Sequence, residues 1–431
     1  MKLKIFEAFQ QETGTNNEKK HGISLWQAAI FIAAQIAGSG VLALPKAASD
    51  AGGWLGLGIM LVLCVNATFS GAHLGLCWAI AEKHYPDLKA HVRNPYSTLG
   101  EKAYGKWLSV LISIAMQIEL IGTGTVFLLL SAQIIETLLL PYNLSVNACI
   151  WLLVLAALLC PAMWLGSPKD FWQFGVGALL TTLTTCIIAT VESINDASSG
   201  LLPPPDTSVT LTPKSFFLGF GVIIFSFGGA STFPTIQNDM REREKFPLSV
   251  VIAFMAIIAM YLPVTAAGFA VYGHSVQSSI LNSISSGPAV TAAQILIALH
   301  LLTAFVILTN PATQNIEYLL NIPHKFGWKR CLVRTCVLLL MVFIGESVRD
   351  FGKVLALVGG SCTTMLNMVF PPIIFLKFKA TLESESPVPL WRKIYLIAII
   401  SIGVVGGIAA TYSAILDIVG PGSFRRPCYL P

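Results

Sequence analysis

Two short runs of small residues, each in the middle of a long apolar stretch, are the part of this sequence most suited to chemistry. The first covers residues 37–41 (AGSGV) and the second covers residues 227–231 (FGGAS). In each case a pair of small residues at mid-span is followed six or seven positions later by a proline, Pro45 or Pro234. This pattern predicts two membrane helices that are broken in the middle.

A broken helix inside a bilayer is expected to be a binding site. Its unpaired N–H and C=O groups cost several kcal/mol each unless protein or a polar cavity satisfies them, and a substrate is one possible partner. Free amides of residues 38–41, at the positive end of the second half of the first helix, suit a carboxylate. Unpaired carbonyls near residues 225–228 suit an ammonium. A solute with both groups is an α-amino acid or a close relative such as GABA or betaine.

The alternative is that these glycines only allow helices to pack closely, as small residues often do in membranes. One such run favours packing, whereas two runs at symmetric positions favour a site. Phe225 and Phe227 flank the second break and are expected to close over the substrate, although aromatic residues in spans more often serve packing. The predicted substrate-binding residues are Ala37, Gly38, Ser39, Gly40, Val41, Phe225, Phe227, Gly228 and Gly229.

The elements that must position these runs are membrane helices. Of the 431 residues, 55% are hydrophobic and only 11% are charged, whereas soluble domains average about 25% charged residues. This composition leaves no room for a sizeable soluble enzyme domain, and the basic residues lie in short loops rather than on a face that binds nucleic acid. The apolar runs predict eleven spans, at residues 24–45, 54–82, 107–139, 147–166, 171–192, 215–238, 248–272, 290–320, 331–348, 354–376 and 393–418.

The charge distribution orients these spans. Most of the 27 Lys and Arg residues fall in cytoplasmic segments if the amino terminus is cytoplasmic, as the positive-inside rule requires. The chain is then expected to have a cytoplasmic tail at residues 1–23, one transporter domain at 24–418 and a short extracellular or lumenal tail at 419–431. The first and sixth spans run in opposite directions, so the two halves form an inverted repeat. Matching broken helices in such halves indicate the midplane site of a secondary transporter.

Several motifs carry a resemblance to a known family. Residues 38–45 (GSGVLALP), 225–229 (FSFGG) and 238–240 (NDM) are similar to motifs of the amino acid/auxin permease family, within the amino acid-polyamine-organocation superfamily. Residues 118–120 (IEL) resemble its branch of vesicular inhibitory and vacuolar amino acid transporters. The resemblance covers about residues 22–418. It implies an all-α membrane fold with a five-plus-five inverted repeat and an eleventh helix. It also implies amino acid transport usually coupled to protons or sodium.

One departure from the family concerns Ala230, which stands where relatives often carry a histidine after the paired glycines. Any proton role of that position is lost here.

Glu119 lies 12 residues inside Trp107, or about 18 Å along a helix, and is the best candidate for a proton site, with a structural glutamate as the alternative. His300 and Thr303 are further ion-coupling candidates. Thr303, Thr309 and Asn310 also offer oxygens for a sodium alternative, although hydroxyl groups in helices commonly bond to their own backbone.

These features predict a secondary active transporter that moves amino acids by alternating access and is coupled to protons. The alternatives are sodium coupling and an amino acid sensor without net flux. We expect no catalytic residue, no metal site and no cofactor beyond the coupling ion H⁺ or Na⁺. The chain is expected to be a monomer in the lipid bilayer of the plasma membrane or of a vesicular or lysosomal membrane. The nine cysteines are mostly packing residues, and a glycosylation sequon begins at Asn143.

Overall fold

The computed structural model describes residues 22–89, 92, 94–142, 146–165, 172–199, 211–323, 326–384 and 387–420. The predicted sequon at Asn143, residues 1–21 of the amino-terminal tail and residues 421–431 of the other tail lie outside these ranges. Within them the chain is all-α, and its one β interaction is an isolated parallel bridge between Ile23 and Met240.

The helices fall in all eleven of the apolar segments. The first half contains α1 (Leu25–Ile36), α2 (Gly40–Asp50), α3 (Trp54–His84), α4 (Pro95–Tyr104), α5 (Lys106–Leu139), α6 (Ala148–Leu165) and α7 (Trp172–Ser198). The second half contains α8 (Pro213–Ser226), α9 (Phe233–Asn238), α10 (Phe246–Tyr272), α11 (Pro288–Leu319), α12 (Trp328–Ser347), α13 (Phe351–Val358), α14 (Phe370–Thr381) and α15 (Leu390–Val419). Between α13 and α14 the backbone is wound as two short π-helices, Gly359–Thr363 and Met365–Val369.

The lengths and compositions of these helices are those of a multi-pass membrane protein. Among the described residues, seven helical segments are long and apolar enough to cross a bilayer, and the bent pair α1 and α2 is an eighth candidate. Large apolar side chains such as Val62, Ile114, Leu158 and Ile408 are exposed on them, as expected of surfaces that face lipid.

Both predicted interruptions are present. The axis turns by 60° between α1 and α2, and residues 227–232 separate α8 from α9. The two prolines do not lie at the breaks themselves, because Pro45 lies inside α2 and Pro234 lies in the first turn of α9. The glycine runs therefore mark where the helices stop, and the prolines mark where they have resumed.

A buried ion pair explains how α12 tolerates a charge in its apolar run. Arg334 donates from Nε to the Glu317 carboxylate at 2.5 Å and from Nη1 to the Met163 carbonyl at 2.5 Å. Both charged side chains are only 1% exposed. Since an intramembrane charge is costly unless it is paired, this contact joins α6, α11 and α12.

The two broken helices are also joined at one end of the molecule. The Ile23 amide donates to the Asp239 carbonyl at 2.9 Å, and the Arg241 amide donates to the Ile23 carbonyl at 3.1 Å. Beside them, Arg243 and Glu82 form an ion pair at 2.7 Å. The start of α1 is thereby held to the chain that follows α9.

The cysteines include free thiols that are buried among apolar helices, at Cys64, Cys77, Cys186 and Cys362. Such thiols act as small hydrophobic groups, as the sequence predicts. Cys149, at the start of α6, is different because it is disulfide-bonded.

Candidate functional site

The two breaks lie against each other. A Cβ atom at Gly40 would lie 2.8 Å from the Cα of Ser226 and 2.7 Å from its Oγ, so a side chain at position 40 has no space. A Cβ atom at Gly229 would lie 2.8 Å from a side-chain carbon of Ile36. Glycine at these two positions therefore lets the start of α2 touch the end of α8 and lets the second break pack on α1.

The first break leaves backbone donors without partners. Its carbonyls are occupied, since the Tyr261 hydroxyl donates to Ile36 O at 3.0 Å and the Thr182 hydroxyl donates to Ala37 O at 3.5 Å. The Gly38 backbone is hydrogen-bonded to the same Tyr261 hydroxyl. Its amide is therefore occupied, whereas the sequence predicts a free amide. The amides of residues 39–41 form no hydrogen bond with the described part of the chain. The positive end of α2 is therefore open.

The second break leaves acceptors without partners. The Ala230 amide donates to Asn367 Oδ1 at 3.2 Å, and the Gly228 amide donates to the Phe225 carbonyl at 2.9 Å. The Phe225 carbonyl is therefore occupied, contrary to the sequence-based expectation. Within the described ranges, the carbonyls of residues 226–228 have no hydrogen-bond donor. The negative end of α8 is open in the way that the positive end of α2 is.

A cavity of about 40 Å³ lies between the two breaks. Since one water needs roughly 10–15 Å³ of cavity volume, this cavity has room for a few waters. The breaks, α5, α11 and the first π-helix line it through Gln35, Ile36, Gly38, Ser39, Gly40, Glu119, Leu120, Thr123, Phe127, Phe225, Ser226, Gly228, Gly229, Ser231, Leu308 and Thr363.

Three buried polar atoms of the lining residues have no hydrogen-bond partner among the described residues. They are Ser39 Oγ, Glu119 Oε2 and Thr363 Oγ1. The Glu119 side chain is 6% exposed, and its carboxyl faces the hydroxyl groups of Ser231 and Thr363. Buried polar groups in proteins are nearly always paired. Their concentration in one small cavity indicates that a polar ligand or water completes them.

Six of the nine predicted substrate-binding residues line this cavity, and three do not. Ala37 and Val41 are fully buried outside it. Phe227 also lies outside it. Its ring stacks on Phe254, with the ring centroids 6.4 Å apart, and lies beside Tyr261, with the centroids 5.8 Å apart. Phe227 is therefore a packing residue, and Phe225 is the predicted aromatic residue that borders the cavity. Those that line it are Gly38, Ser39, Gly40, Phe225, Gly228 and Gly229.

The ion-coupling candidates are dispersed. Glu119 lines the cavity, whereas His300 lies behind it, with Nε2 3.8 Å from where a Cβ of Gly38 would be and Nδ1 3.5 Å from the Thr181 hydroxyl. Thr303 is exposed on the outer face of α11, and its hydroxyl donates to its own helix at Leu299 O, 2.9 Å away. It is therefore remote from the cavity. The described residues contain no group of three or more His, Cys, Asp and Glu side chains arranged for a metal ion.

Sequence reasoning misses several residues of the cavity. Thr123 and Phe127 follow Glu119 at intervals of four along α5, the spacing that places side chains on one face of a helix. Their place beside Glu119 is therefore predictable from the sequence. Thr363 had a weaker signal, the run of small residues 359–363 (GGSCT). That run forms a π-helix, a local irregularity that is frequent at functional sites.

Comparisons with known proteins give matches over most of the chain. A family model described as "Transmembrane amino acid transporter protein" matches residues 21–416. Amino acid transporter AVT1C of Arabidopsis thaliana is 22% identical over 396 residues, which cover 89% of this chain and 68% of that protein. For AVT1E of the same organism the identity is 23% over 401 residues, with 89% and 72% covered.

Two solved structures share the fold. The crystal structure of MhsT in complex with L-phenylalanine is similar with a TM-score of 0.61 at 14% identity, covering 91% of this chain and 99% of that one. A mutant of the manganese transporter of Eremococcus coleocola gives a TM-score of 0.60 at 14% identity, with 92% and 88% covered. At this identity the likeness concerns the fold alone.

Proposed function

Because the chain belongs to the transmembrane amino acid transporter family, we propose that it carries amino acids across a membrane by alternating access to the cavity between its two breaks. It is a transporter rather than an enzyme. One observation carries the proposal: residues with open amides, Ser39 and Gly40, and residues with open carbonyls, Ser226 and Gly228, border the same cavity.

The substrate that fits this arrangement is a zwitterion. Its carboxylate binds the amides at the positive end of α2, and its ammonium binds the carbonyls at the negative end of α8. Gly40 packs directly on Ser226, so the two ends are close enough for one small molecule to reach both. Since the cavity has space for only a few waters, a small neutral amino acid such as glycine or alanine fits it.

The transport cycle requires a topology, and we propose eleven crossings in two inverted halves of five with one appended helix. One crossing is the broken pair α1 and α2, and another is the broken pair α8 and α9. A third crossing is α13 with α14, and α4 does not cross. We place the amino terminus in the cytoplasm and the chain in the plasma membrane or in a vesicular or lysosomal membrane. The disulfide at Cys149 supports this orientation, because disulfides persist in oxidising compartments and α6 begins on the outer side in this topology.

A proton bound at Glu119 is proposed to bias the cycle. The carboxyl is buried, borders the cavity and has an oxygen without a partner among the described residues. Sodium on α11 has less support, because the hydroxyls of Thr303 and Thr309 donate to their own helix. The chain is proposed to act as a monomer.

Proteoliposomes that contain the purified chain test the proposal. We expect uptake of at least one labelled neutral amino acid. This uptake should depend on an imposed pH gradient and be independent of a sodium gradient applied separately. Liposomes with the Gly38→Val chain serve as the control for leakage. No uptake of any of the twenty amino acids under either gradient would contradict the proposal, and binding without uptake would favour a sensor.

A further inference from the structure

A second cavity lies away from the two breaks. It has a volume of about 160 Å³ and lies between α5, the start of α6 and the end of α12. It has no lining residue in common with the cavity between the breaks. It shares Gln133, Glu136 and Arg349 with a wider cavity of about 570 Å³. Its volume is enough for on the order of ten waters.

Two opposite charges in this cavity, Glu346 and Arg349, attract each other, yet each leaves one buried atom without a hydrogen bond to the described chain. Glu346 is 6% exposed, and its Oε1 has no hydrogen-bond partner among the described residues. Arg349, three positions later, has a buried Nε that is equally unpaired within the described chain. Leaving a buried charged group unsatisfied costs more than leaving a neutral one. The two side chains therefore present an acceptor and a donor for a ligand.

The surroundings hold these groups in place. Gln133 of α5 donates from its side chain to the Arg349 carbonyl at 2.7 Å, which fixes the backbone just beyond α12. Leu152 of α6 packs toward Gly345, where a Cβ atom would lie 3.1 Å from it. Asn147 adds an amide side chain to the lining. The cavity is thus a polar pocket on fixed helices, near the disulfide-bonded Cys149.

We propose that this cavity is a second amino acid site, in which Arg349 binds the carboxylate and Glu346 binds the ammonium. The choice of an amino acid among zwitterions rests on the proposed function. The second site differs from the first in its chemistry, because it binds through charged side chains where the first uses backbone amides and carbonyls. In the proposed topology it opens to the outer side, next to the wider cavity.

The test measures thermal unfolding of the purified full-length chain with each of the twenty amino acids in turn. The Gly38→Val chain, whose first site is blocked, should still be stabilised by at least one amino acid. Glu346→Gln or Arg349→Gln in that background should weaken this binding at least tenfold, whereas Glu101→Gln, an exposed residue of α4, should leave it unchanged. Propionate and propylamine, with one charge each, should not replace the zwitterion.

The outcomes separate this proposal from the proposed function. If the wild-type chain transports amino acids but none of them stabilises the Gly38→Val chain, the second site is wrong and the transporter stands. If no amino acid is transported while Glu346-dependent binding persists, the reverse holds. Stabilisation that survives both charge substitutions also overturns the second site. Should Gly38→Val fail to fold, the charge substitutions are made in the wild-type chain, where stabilisation by every amino acid that is unchanged by both substitutions overturns the second site.

Discussion

The first break and the second break arise from similar runs of small residues and leave opposite backbone groups open. At the first, Tyr261 and Thr182 occupy the carbonyls of α1, so that the amides of α2 remain. At the second, Asn367 occupies the Ala230 amide, and the carbonyls at the end of α8 remain. The difference is made by side chains of α7, α10 and the second π-helix. A glycine run decides where a membrane helix stops, and its neighbours decide which charge the break presents.

The contact between the breaks gives the largest expected effect. Gly40→Ala places a Cβ atom 2.8 Å from the Cα of Ser226, and overpacking of this kind typically costs about 1–3 kcal/mol. Because the clash involves backbone, we expect loss of both uptake and thermal stability. Gly58→Ala, whose Cβ would have nothing within 4 Å, is the matched control. A normal melting temperature for Gly40→Ala would show that the breaks are not pressed together.

Gly38 offers the contrast within the same break. A Cβ there would make only an ordinary contact with Phe127 at 3.5 Å, so Gly38→Val should unfold close to the wild-type temperature. Its side chain would nevertheless occupy the carboxylate end of the cavity, and we expect uptake to fall at least tenfold. Thermal unfolding and initial uptake rates measured on one preparation check both parts. Uptake at the wild-type rate would show that the substrate carboxylate does not bind at the first break.

Glu119→Gln tests whether the acceptor side of the cavity also holds the proton. Gln retains the size of the side chain and cannot titrate, so we expect uptake to lose its response to a pH gradient while equilibrium binding of the substrate changes less. The measurement is uptake across a series of outside pH values at fixed inside pH. An unaltered profile would give Glu119 a structural role only.

The polarity of the second break depends on Asn367. Asn367→Leu removes the acceptor of the Ala230 amide, and an unpaired buried amide costs about 1–3 kcal/mol. We expect lower stability together with weaker substrate binding, because the break then presents a donor beside its acceptors. Asn367→Asp keeps an acceptor oxygen and should retain more of both. Equal losses in the two variants would mean that the hydrogen bond to Ala230 is unimportant.

These side chains also mark the limit of what the sequence predicts. The positions of the breaks, the family and the charge of each open end follow from local patterns of a few residues. The capping residues do not, since Tyr261 is 225 residues from Ile36 and Asn367 is 137 residues from Ala230. The sequence also does not show which side of a helix faces the cavity when the helix is apolar on all sides. For this reason Thr303, an ion-coupling candidate from the sequence, is exposed, while Phe227, which the sequence predicts to close over the substrate, is packed against other rings.

The smallest effect is expected at the carbonyl end of α1. Tyr261→Phe keeps the ring that contacts Phe227 and removes only the hydroxyl that donates to Ile36. Ile36 and Gly38 both line the cavity, where water can replace the hydroxyl. We therefore expect a loss of about 0.5–1.5 kcal/mol, the contribution of one hydrogen bond, and a melting temperature lower by a few degrees. Transport should weaken less than in Gly38→Val, because the Gly38 amide, which now lacks the hydroxyl, still lies beside the cavity as a further donor. Tyr412→Phe, on a side chain 63% exposed, is the control. If both variants melt at the same temperature, the first break is not held by α10, and its polarity comes from Thr182 of α7 and the α2 dipole.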